Sequence, residues 1–283
     1  MKTLQDDTVS HFLSAKTHDS LLFFTDSGKV FRMPVYEIPE GSRVARGRGL
    51  LNFLEISPQE KILALIPLGK EDYESGIKYL IMVTHEGIIK KTAISEFENV
   101  RRSGLIAINL KKDDSLKQVC RSTGQDEVIL VTKKGHSIRF NEKQIREMGR
   151  SAAGVKGIRL KKDDKVVGME IIISNIKNQI SKIKQYLLVV AENGFGKRTD
   201  LKEYRTQGRG GAGIKAVNVT AKTGDLVASK IVSGTEDELI VISQKGQVIK
   251  TKVSSISKLS RATQGVRIMK LEQGDKVASV ACF

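Results

Sequence analysis

The feature that most constrains the fold of this chain is a short pattern that occurs five times. Each copy has four consecutive apolar residues, then a polar turn that ends in glycine, and then a strand of mixed apolar and basic residues. Runs of four apolar residues suit a buried strand and are too short for a helix. Turn sequences such as Asp-Ser-Gly and Glu-Asn-Gly favour a tight hairpin. The five copies lie at 21–28, 80–87, 128–135, 187–194 and 239–246.

Each copy continues into a second glycine-containing loop, another strand and, after an acidic turn, a last strand. The turn glycines are 59, 48, 59 and 52 residues apart, so each repeat has room for about four short strands, the size of a propeller blade. We therefore predict an all-β, propeller-like fold in which 1–283 is a single domain. The predicted repeats are 1–17 (partial), 18–69, 77–123, 126–173, 185–233 and 236–283, with 8–15 as the last strand of a truncated sixth blade.

Two polar insertions interrupt the period. Residues 70–76 and 174–184 are predicted to form polar loops between blades, and the second is predicted to be either a short helix or disordered. No segment has the pattern of a long amphipathic helix.

The charge of the chain indicates its kind of partner. Lys and Arg number 48 against 32 Asp and Glu, a formal net charge of +16, which favours a polyanion. Aromatic residues are only 5% and Trp is absent, which argues against single-stranded nucleic acid bound by stacking. Cys120 and Cys282 form no CxxC motif, and no apolar run reaches the ~18–20 residues of a membrane span. We expect a soluble, cytosolic protein with no membrane partner.

Basic residues recur at two fixed positions of the repeat. In a radial repeat, equal phase means an equal place on every blade, so they predict a positive stripe along the rim. Such a curved stripe favours bent duplex DNA, contacted at its phosphates without regard to sequence; the alternative is a solvated outer face. Four residues after the turn glycine are Arg32, Lys91, Arg139, Arg198 and Lys250, and fourteen or fifteen residues after it are Arg43, Arg101, Arg150, Arg209 and Arg261, with Arg46, Arg48 and Arg102 nearby.

The loop 207–213 is the most distinctive candidate for a phosphate contact. Its glycines free the backbone to approach a phosphate, and its arginine supplies charge. It also fits a GxGxxG pattern, but the following 214–219 has the pattern of a strand, not of the helix that a dinucleotide site needs. An ordinary tight loop between strands is the alternative. The candidate residues are Gln207, Gly208, Arg209, Gly210, Gly211 and Gly213, and the arginine-rich 43–49 is the second candidate.

Catalytic and metal chemistry find little support in the sequence. The four histidines lack metal-ligand spacing, and no serine or cysteine has a recognisable nucleophile motif. The pairs Asp113-Asp114 and Asp163-Asp164 occur at the same turn of their repeats, which indicates a structural role in that turn. We expect no catalytic residue, no metal and no cofactor.

Several further segments resemble the C-terminal domain of the bacterial DNA gyrase A protein, part of a type IIA topoisomerase. The resemblance covers essentially the whole chain and is carried by 35–40, 102–109, 148–150, 154–160, 193–199 and 263–267. It implies a six-bladed β-pinwheel whose blades exchange strands, the first blade being incomplete. It also implies positive wrapping of duplex DNA that supports negative supercoiling by an ATP-dependent holoenzyme. The implied partners are DNA, the ATPase subunit of the holoenzyme and the N-terminal breakage-reunion part of the same polypeptide, in the bacterial cytoplasm at the nucleoid.

The chain departs from this family at its hallmark box, Gln-basic-Arg-Gly-Gly-basic-Gly, which does not precede residue 18. The nearest match, 207–213, has Gly208 and Ala212 at the basic positions. If the chain starts downstream of the true box, we expect DNA binding to persist and stable wrapping to be lost. Two alternatives remain: the homologous domain of topoisomerase IV, which binds without a full wrap, and a propeller scaffold for protein partners.

Overall fold

The computed structural model describes residues 11, 13–41, 47–173, 184–233 and 238–282, and most of its regular structure is β-strand, with one short α-helix and several 3-10 turns. The strands are β1 (Ser20–Thr25), β2 (Lys29–Pro34), β3 (Ile62–Leu68), β4 (Tyr79–Thr84), β5 (Ile88–Ala93), β6 (Leu105–Ile106), β7 (Leu116–Ser122), β8 (Glu127–Thr132), β9 (His136–Asn141), β10 (Val155–Lys156), β11 (Val166–Ile172), β12 (Tyr186–Ala191), β13 (Phe195–Asp200), β14 (Ile214–Lys215), β15 (Leu226–Val232), β16 (Glu238–Ser243), β17 (Val248–Lys252), β18 (Val266–Arg267) and β19 (Val277–Cys282).

The five predicted hairpins are confirmed. Each apolar run is the first strand of an antiparallel pair, β1–β2, β4–β5, β8–β9, β12–β13 and β16–β17. The five turn glycines have φ between 77° and 82°. This left-handed conformation carries no Cβ penalty in glycine, which explains why the turn ends in that residue.

The hairpins are built into blades by strands from two repeats. In four sheets a long strand that ends the same repeat flanks the hairpin on one side, and a two-residue strand from the next repeat flanks it on the other. The orders are β3-β1-β2-β6, β10-β5-β4-β7, β11-β8-β9-β14 and β15-β12-β13-β18, and the fifth sheet is β17-β16-β19. Neighbouring blades therefore exchange strands, as a β-pinwheel requires. We call β6, β10, β14 and β18 the exchanged strands.

The described residues form five blades, so the prediction of six was wrong. Residues 11 and 13–17 contain no strand and lead into a turn in which the Asp19 N–H donates to the Lys16 carbonyl oxygen at 3.0 Å. A blade is organised around a hairpin, and the stretch before residue 18 has no apolar run with a glycine turn. Residues 1–10 and 12 of the predicted partial repeat lie outside the described residues.

The first insertion also differs from its prediction, because it contains a short helix, α1 (Lys70–Glu74). The Gly69 N–H donates to the Asp72 carboxylate at 2.9 Å. Acidic residues in a first turn stabilise the exposed N–H groups there, which accounts for the helix. Residues 174–183 of the second insertion lie outside the described residues. No helix among the residues described has the length and apolar character that crossing a membrane requires.

Contacts group the chain into two compact units, 1–84 with 88–124 and 145–155, and 85–87 with 125–144 and 156–283. In the first, Phe24 and Phe97 meet edge to face, with ring centroids 5.9 Å apart. In the second, Leu187 and Val189 belong to one apolar cluster, whereas Leu188 and Val190 belong to another. The apolar runs do not alternate because both faces of the strand are covered.

Candidate nucleic-acid interface

Two of the basic residues four positions after the turn glycine, Arg139 and Arg198, face the next repeat. Arg139 donates from Nη1 to the carbonyl oxygens of Leu201 (3.0 Å) and Tyr204 (3.2 Å), and from Nη2 to Glu127 (2.5 Å). Leu201 begins a 3-10 turn, Leu201–Glu203, and its carbonyl oxygen also accepts the Tyr204 N–H at 3.1 Å. The guanidinium therefore joins the two repeats through charge-assisted hydrogen bonds.

Arg198 repeats this arrangement one blade later. Its Nε donates to the Ile256 carbonyl oxygen and its Nη2 to that of Ser254, both at 2.7 Å, at the 3-10 turn Val253–Ser255. Both arginines thus stabilise the junction with the next repeat.

The other three members of this set differ from one another. Arg32 donates to Ser20 Oγ at 2.7 Å. Lys91 is buried, with Nζ 5.0 Å from the centre of the Tyr79 ring. Lys250 is exposed and pairs with Glu238 at 2.6 Å. Burial and ion pairing therefore limit what most of this set can offer to an external ligand.

The arginines of the second set that the structure describes, Arg101, Arg150, Arg209 and Arg261, lie in loops that lead into the exchanged strands. We call these the basic loops; they are 101–104, 149–154, 207–213 and 260–265. The main-chain N–H of Arg209 donates to Gln144 Oε1 at 2.8 Å and that of Arg261 to Glu203 Oε2 at 3.0 Å. The Nη1 groups of the two arginines donate to the Lys156 and Lys215 carbonyl oxygens, each at 2.6 Å. The two arginines therefore occupy equivalent places on successive blades.

The remaining basic-loop arginines and the arginines near them differ in exposure. Arg150 Nε lies 3.5 Å from Glu96 Oε2, and about a third of its side chain is accessible. Arg102 is 69% exposed and pairs with Glu37 at 2.7 Å. Arg101 and Arg48 are exposed. Arg43 and Arg46 lie outside the described residues.

The side chains that contact the basic loops share one position of the repeat, which the sequence analysis missed. Nine residues after the turn glycine, four repeats have Glu37, Glu96, Gln144 and Glu203, and each contacts a basic loop. A search for acidic residues at constant phase would have found it. Gln144 is the neutral member, so the hydrogen bonds described for Arg209 all end on neutral oxygens.

The loop 207–213 is fixed by its main chain. The Gln207 N–H donates to the Arg139 carbonyl oxygen at 2.7 Å and the Gly210 N–H to that of Gly157 at 2.8 Å. Gly213 has φ +73°, and a Cβ there would lie 2.5 Å from the Ser137 carbonyl oxygen, whereas Gly208 has open space around it. Strand β14 follows and covers only the first two residues of the predicted strand 214–219; no helix follows the loop in the described residues 214–233, which disagrees with a dinucleotide site.

Two fully buried lysines, which the sequence analysis also missed, lie beneath basic loops. Lys197 Nζ donates to the carbonyl oxygens of Ser260 (2.6 Å) and Arg261 (2.7 Å) and to Thr263 Oγ1 (3.2 Å). Lys90 Nζ donates to the carbonyl oxygens of Ala107 (2.6 Å) and Arg150. Burial lowers the pKa of each ammonium from its ordinary value of 10.5 to about 8.

Three further cations lie on the exchanged strands. Lys156, Lys215 and Arg267 are the exposed second residues of β10, β14 and β18. The sequence signal is a β-branched residue followed by a basic one after three of the four basic loops, 149–154, 207–213 and 260–265. These cations extend the positive surface beyond the basic loops.

The acidic pairs have the predicted role in turns. Asp163 has φ +59°, and the Asp164 carboxylate accepts hydrogen bonds from the Lys134 N–H at 2.9 Å and Thr132 Oγ1 at 2.7 Å. Asp164 therefore ties the acidic turn to the hairpin turn of the same repeat. Within the part of the chain that the structure describes, no group of three or more His, Cys, Asp or Glu side chains could hold a metal ion.

The fold and these loops define a class of protein: all-β, propeller-like chains whose blades exchange a strand and carry a basic loop at the exchange. The chain belongs to the family described as the DNA gyrase C-terminal domain, β-propeller. That family's model matches 19–68, 78–119, 126–173, 185–233 and 237–283, one stretch for each blade.

Relatives agree with this membership. The chain is 42% identical over 281 residues to the DNA gyrase A protein of Staphylococcus epidermidis, covering 99% of this chain and 30% of the relative. It is 42% identical over 283 residues to that of Ureaplasma parvum serovar 3, covering 100% and 32%. The chain therefore spans about a third of the length of these curated relatives.

Two solved structures are similar to this fold. The C-terminal domain of DNA topoisomerase IV superposes with a TM-score of 0.83 at 29% identity, covering 94% of this chain and 79% of that one. A DNA gyrase A C-terminal domain superposes with a TM-score of 0.78 at 24% identity, covering 100% and 90%. The second likeness concerns the fold alone.

Proposed function

We propose that this chain binds duplex DNA through its phosphates, without sequence preference, at the basic loops. The observation that carries the proposal is that Arg209 and Arg261 are held by the same contacts on successive blades. A duplex presents phosphates at a regular spacing, so a cation repeated at a regular structural position can meet several of them. Phosphate contacts position a duplex but do not read its bases.

We further propose that the bound duplex is bent around the chain and wrapped with positive handedness. Bending a short site costs about 1–6 kcal/mol by smooth elastic estimates. Phosphate contacts at several basic loops, with Lys156, Lys215 and Arg267 beside them, are the means of offsetting that cost. The open space around Gly208 leaves room for a phosphate against the main chain of the loop 207–213.

In the whole protein, the proposed role of this wrap is to support negative supercoiling by an ATP-dependent gyrase. The chain itself is proposed to be non-catalytic. Its proposed partners are the ATPase subunit of the holoenzyme and the N-terminal breakage-reunion part of the same polypeptide, at the nucleoid in the bacterial cytoplasm. Support comes from the family and from curated relatives about three times as long as this chain.

The binding proposal is tested by reversing three loop charges together, Arg150→Glu, Arg209→Glu and Arg261→Glu. Each lost phosphate contact reduces the slope of log affinity against log salt by about 0.9, so the slope should fall by about two to three. Affinity for a random-sequence duplex is measured by fluorescence anisotropy over a salt series. The matched control reverses three exposed lysines outside the basic loops, Lys16, Lys70 and Lys245. Equal losses in both variants would reduce the effect to net charge and contradict the proposal.

Wrapping is tested by ligating nicked circular DNA in the presence of the chain and reading the linking-number distribution. A shift toward positive linking supports a wrap of fixed handedness. Tight binding with no shift supports the second candidate function, DNA binding without a full wrap. Two observations favour that candidate: five blades, and the TM-score of 0.83 with the topoisomerase IV domain.

A further inference from the structure

Lys90 and Lys197 occupy the same position of two repeats, three residues after the turn glycine. Each lies in the second strand of a hairpin, with its side chain completely buried. Each also points to the basic loop that the next repeat lays over that strand. Lys90 reaches the carbonyl oxygen of Arg150, and Lys197 reaches that of Arg261. The two lysines therefore hold the residues that carry two of the proposed phosphate contacts.

The other repeats fill this position with apolar side chains. Phe31 lies under Gly104 of the first basic loop, and Ile138 Cδ1 would be 3.6 Å from a Cβ on Gly211. A basic loop can therefore be supported without a charge. Lysine at two of the positions needs a reason beyond packing, because a buried ammonium loses its hydration.

The surroundings do not neutralise these ammonium groups by direct contact. The hydrogen bonds described for both end on carbonyl or hydroxyl oxygens. The charged groups that face Lys90 are Glu96 and Arg150, and those that face Lys197 are Glu203 and Arg261. Each lysine therefore has one anion and one cation nearby, and its own charge remains as an excess below the loop.

We propose that Lys90 and Lys197 are positioning residues of the DNA site, which fix the two loops and add positive charge from below to the phosphate that each loop binds. The proposal rests on the proposed DNA binding and deepens it. An interior charge acts through a medium of lower dielectric than water, so it is less screened by salt than an exposed lysine. The basic loops 149–154 and 260–265 then bind phosphate with the help of a buried charge, whereas the loops over Phe31 and Ile138 have no such charge beneath them.

This arrangement links DNA binding to a proton. Phosphates favour the charged form of the lysines, so binding raises their pKa above the value of about 8 in the unbound chain. The complex then takes up protons above pH 8. Affinity should fall as the pH rises from 8 to 9, by up to about tenfold for each lysine that takes up a full proton. His136 does not contribute in this range, because burial lowers its pKa from 6.5.

The test compares the wild-type chain with a Lys90→Met, Lys197→Met double variant, by anisotropy with a random-sequence duplex at constant ionic strength. We expect weaker binding by the variant at pH 7.5 and a flat profile from pH 8 to 9. An exposed pair, Lys70→Met with Lys245→Met, is the control and should keep the wild-type profile. A double variant that keeps the wild-type pH profile would overturn the proposal.

A second measurement needs no variant and applies even if the double variant does not fold. Calorimetric titration of the wild-type chain with duplex at pH 8.5, in two buffers of different ionisation enthalpy, gives the protons taken up on binding. Uptake supports the proposal, and no uptake contradicts it. Absence of DNA binding at pH 7.5 would instead contradict the proposed function, so the two failures are distinguishable.

Discussion

Gln144 Oε1 accepts a hydrogen bond from the main-chain N–H of Arg209 at 2.8 Å, and at the equivalent position of the next repeat Glu203 Oε2 accepts one from the main-chain N–H of Arg261. The two contacts have the same geometry but different charge. A carboxylate beside a loop offsets part of the positive potential that a phosphate would meet, whereas an amide does not. The loop 207–213 is therefore the basic loop whose charge is least compensated from this position.

Replacing Gln144 with glutamate should weaken DNA binding. The side chains have nearly the same shape, so the acceptor is retained while one negative charge is added beside Arg209. The interaction between the added carboxylate and an exposed cation such as Arg209 is worth up to about 1 kcal/mol. We therefore expect about a twofold to fivefold loss of DNA affinity at low salt. Anisotropy titrations measure it, and Glu203→Gln is the reciprocal control, expected to strengthen binding. Effects of the same sign in both variants would contradict this account.

Arg139→Met should destabilise the fold more than it weakens DNA binding. The change leaves the Leu201 and Tyr204 carbonyl oxygens and the Glu127 carboxylate without their guanidinium partner, at a cost of about 2–4 kcal/mol. Urea unfolding measures the loss. Lys250→Met, at the same repeat position but exposed, should change stability by less than about 0.5 kcal/mol. A fall of about one in the salt slope for Arg139→Met would instead assign that arginine to a phosphate.

Gly213→Ala and Gly208→Ala should have opposite outcomes within one loop. Alanine at 213 would adopt φ +73° with its Cβ 2.5 Å from the Ser137 carbonyl oxygen, which costs about 2–4 kcal/mol. Alanine at 208 meets open space and should stay within about 0.5 kcal/mol of wild type. Thermal unfolding of the two variants compares them directly. Equal melting temperatures would mean that the loop relaxes around residue 213.

The buried lysines should also make stability rise with pH. Their pKa is about 8 in the folded chain and 10.5 in ordinary surroundings, so between these values the unfolded chain binds more protons. The free energy of unfolding then increases with pH, by at most about 1.4 kcal/mol per pH unit for each lysine. Below pH 8 both states are protonated and this dependence vanishes. Urea unfolding of wild type and Lys197→Met at pH 8 and 9.5 measures it, and parallel curves would contradict it.

The hairpins were predictable because their determinants are local. The run Leu187–Val190 and the turn ending at Gly194 specify a buried strand and a left-handed turn without reference to the rest of the chain. The placement of Arg209 and Arg261 at equivalent points also followed from phase alone, since repeats of one fold put equal positions in equal surroundings.

The roles of Arg198 and Lys197 could not be predicted in this way. Strand alternation places the two side chains on opposite faces, but it does not reveal that the next repeat covers both. Their partners, Ile256 and Arg261, are more than fifty residues further on. The blade count failed for a related reason, because residues 8–15 were assigned from a strand-like pattern without a hairpin for that strand to join.

The exchanged strands put the unit that is repeated in the sequence out of step with the unit that folds. Deleting 236–283 would remove not only the fifth sheet but also β18, the fourth strand of the sheet that begins in the preceding repeat. The loss of structure would appear in the repeat before the cut. The edge of β13 would lose its partner strand, and Lys197 would lose its hydrogen-bond acceptors. A cut after β18 would keep that strand but separate the hairpin β16–β17 from β19, so no single breakpoint removes the last blade and leaves the sheet before it complete.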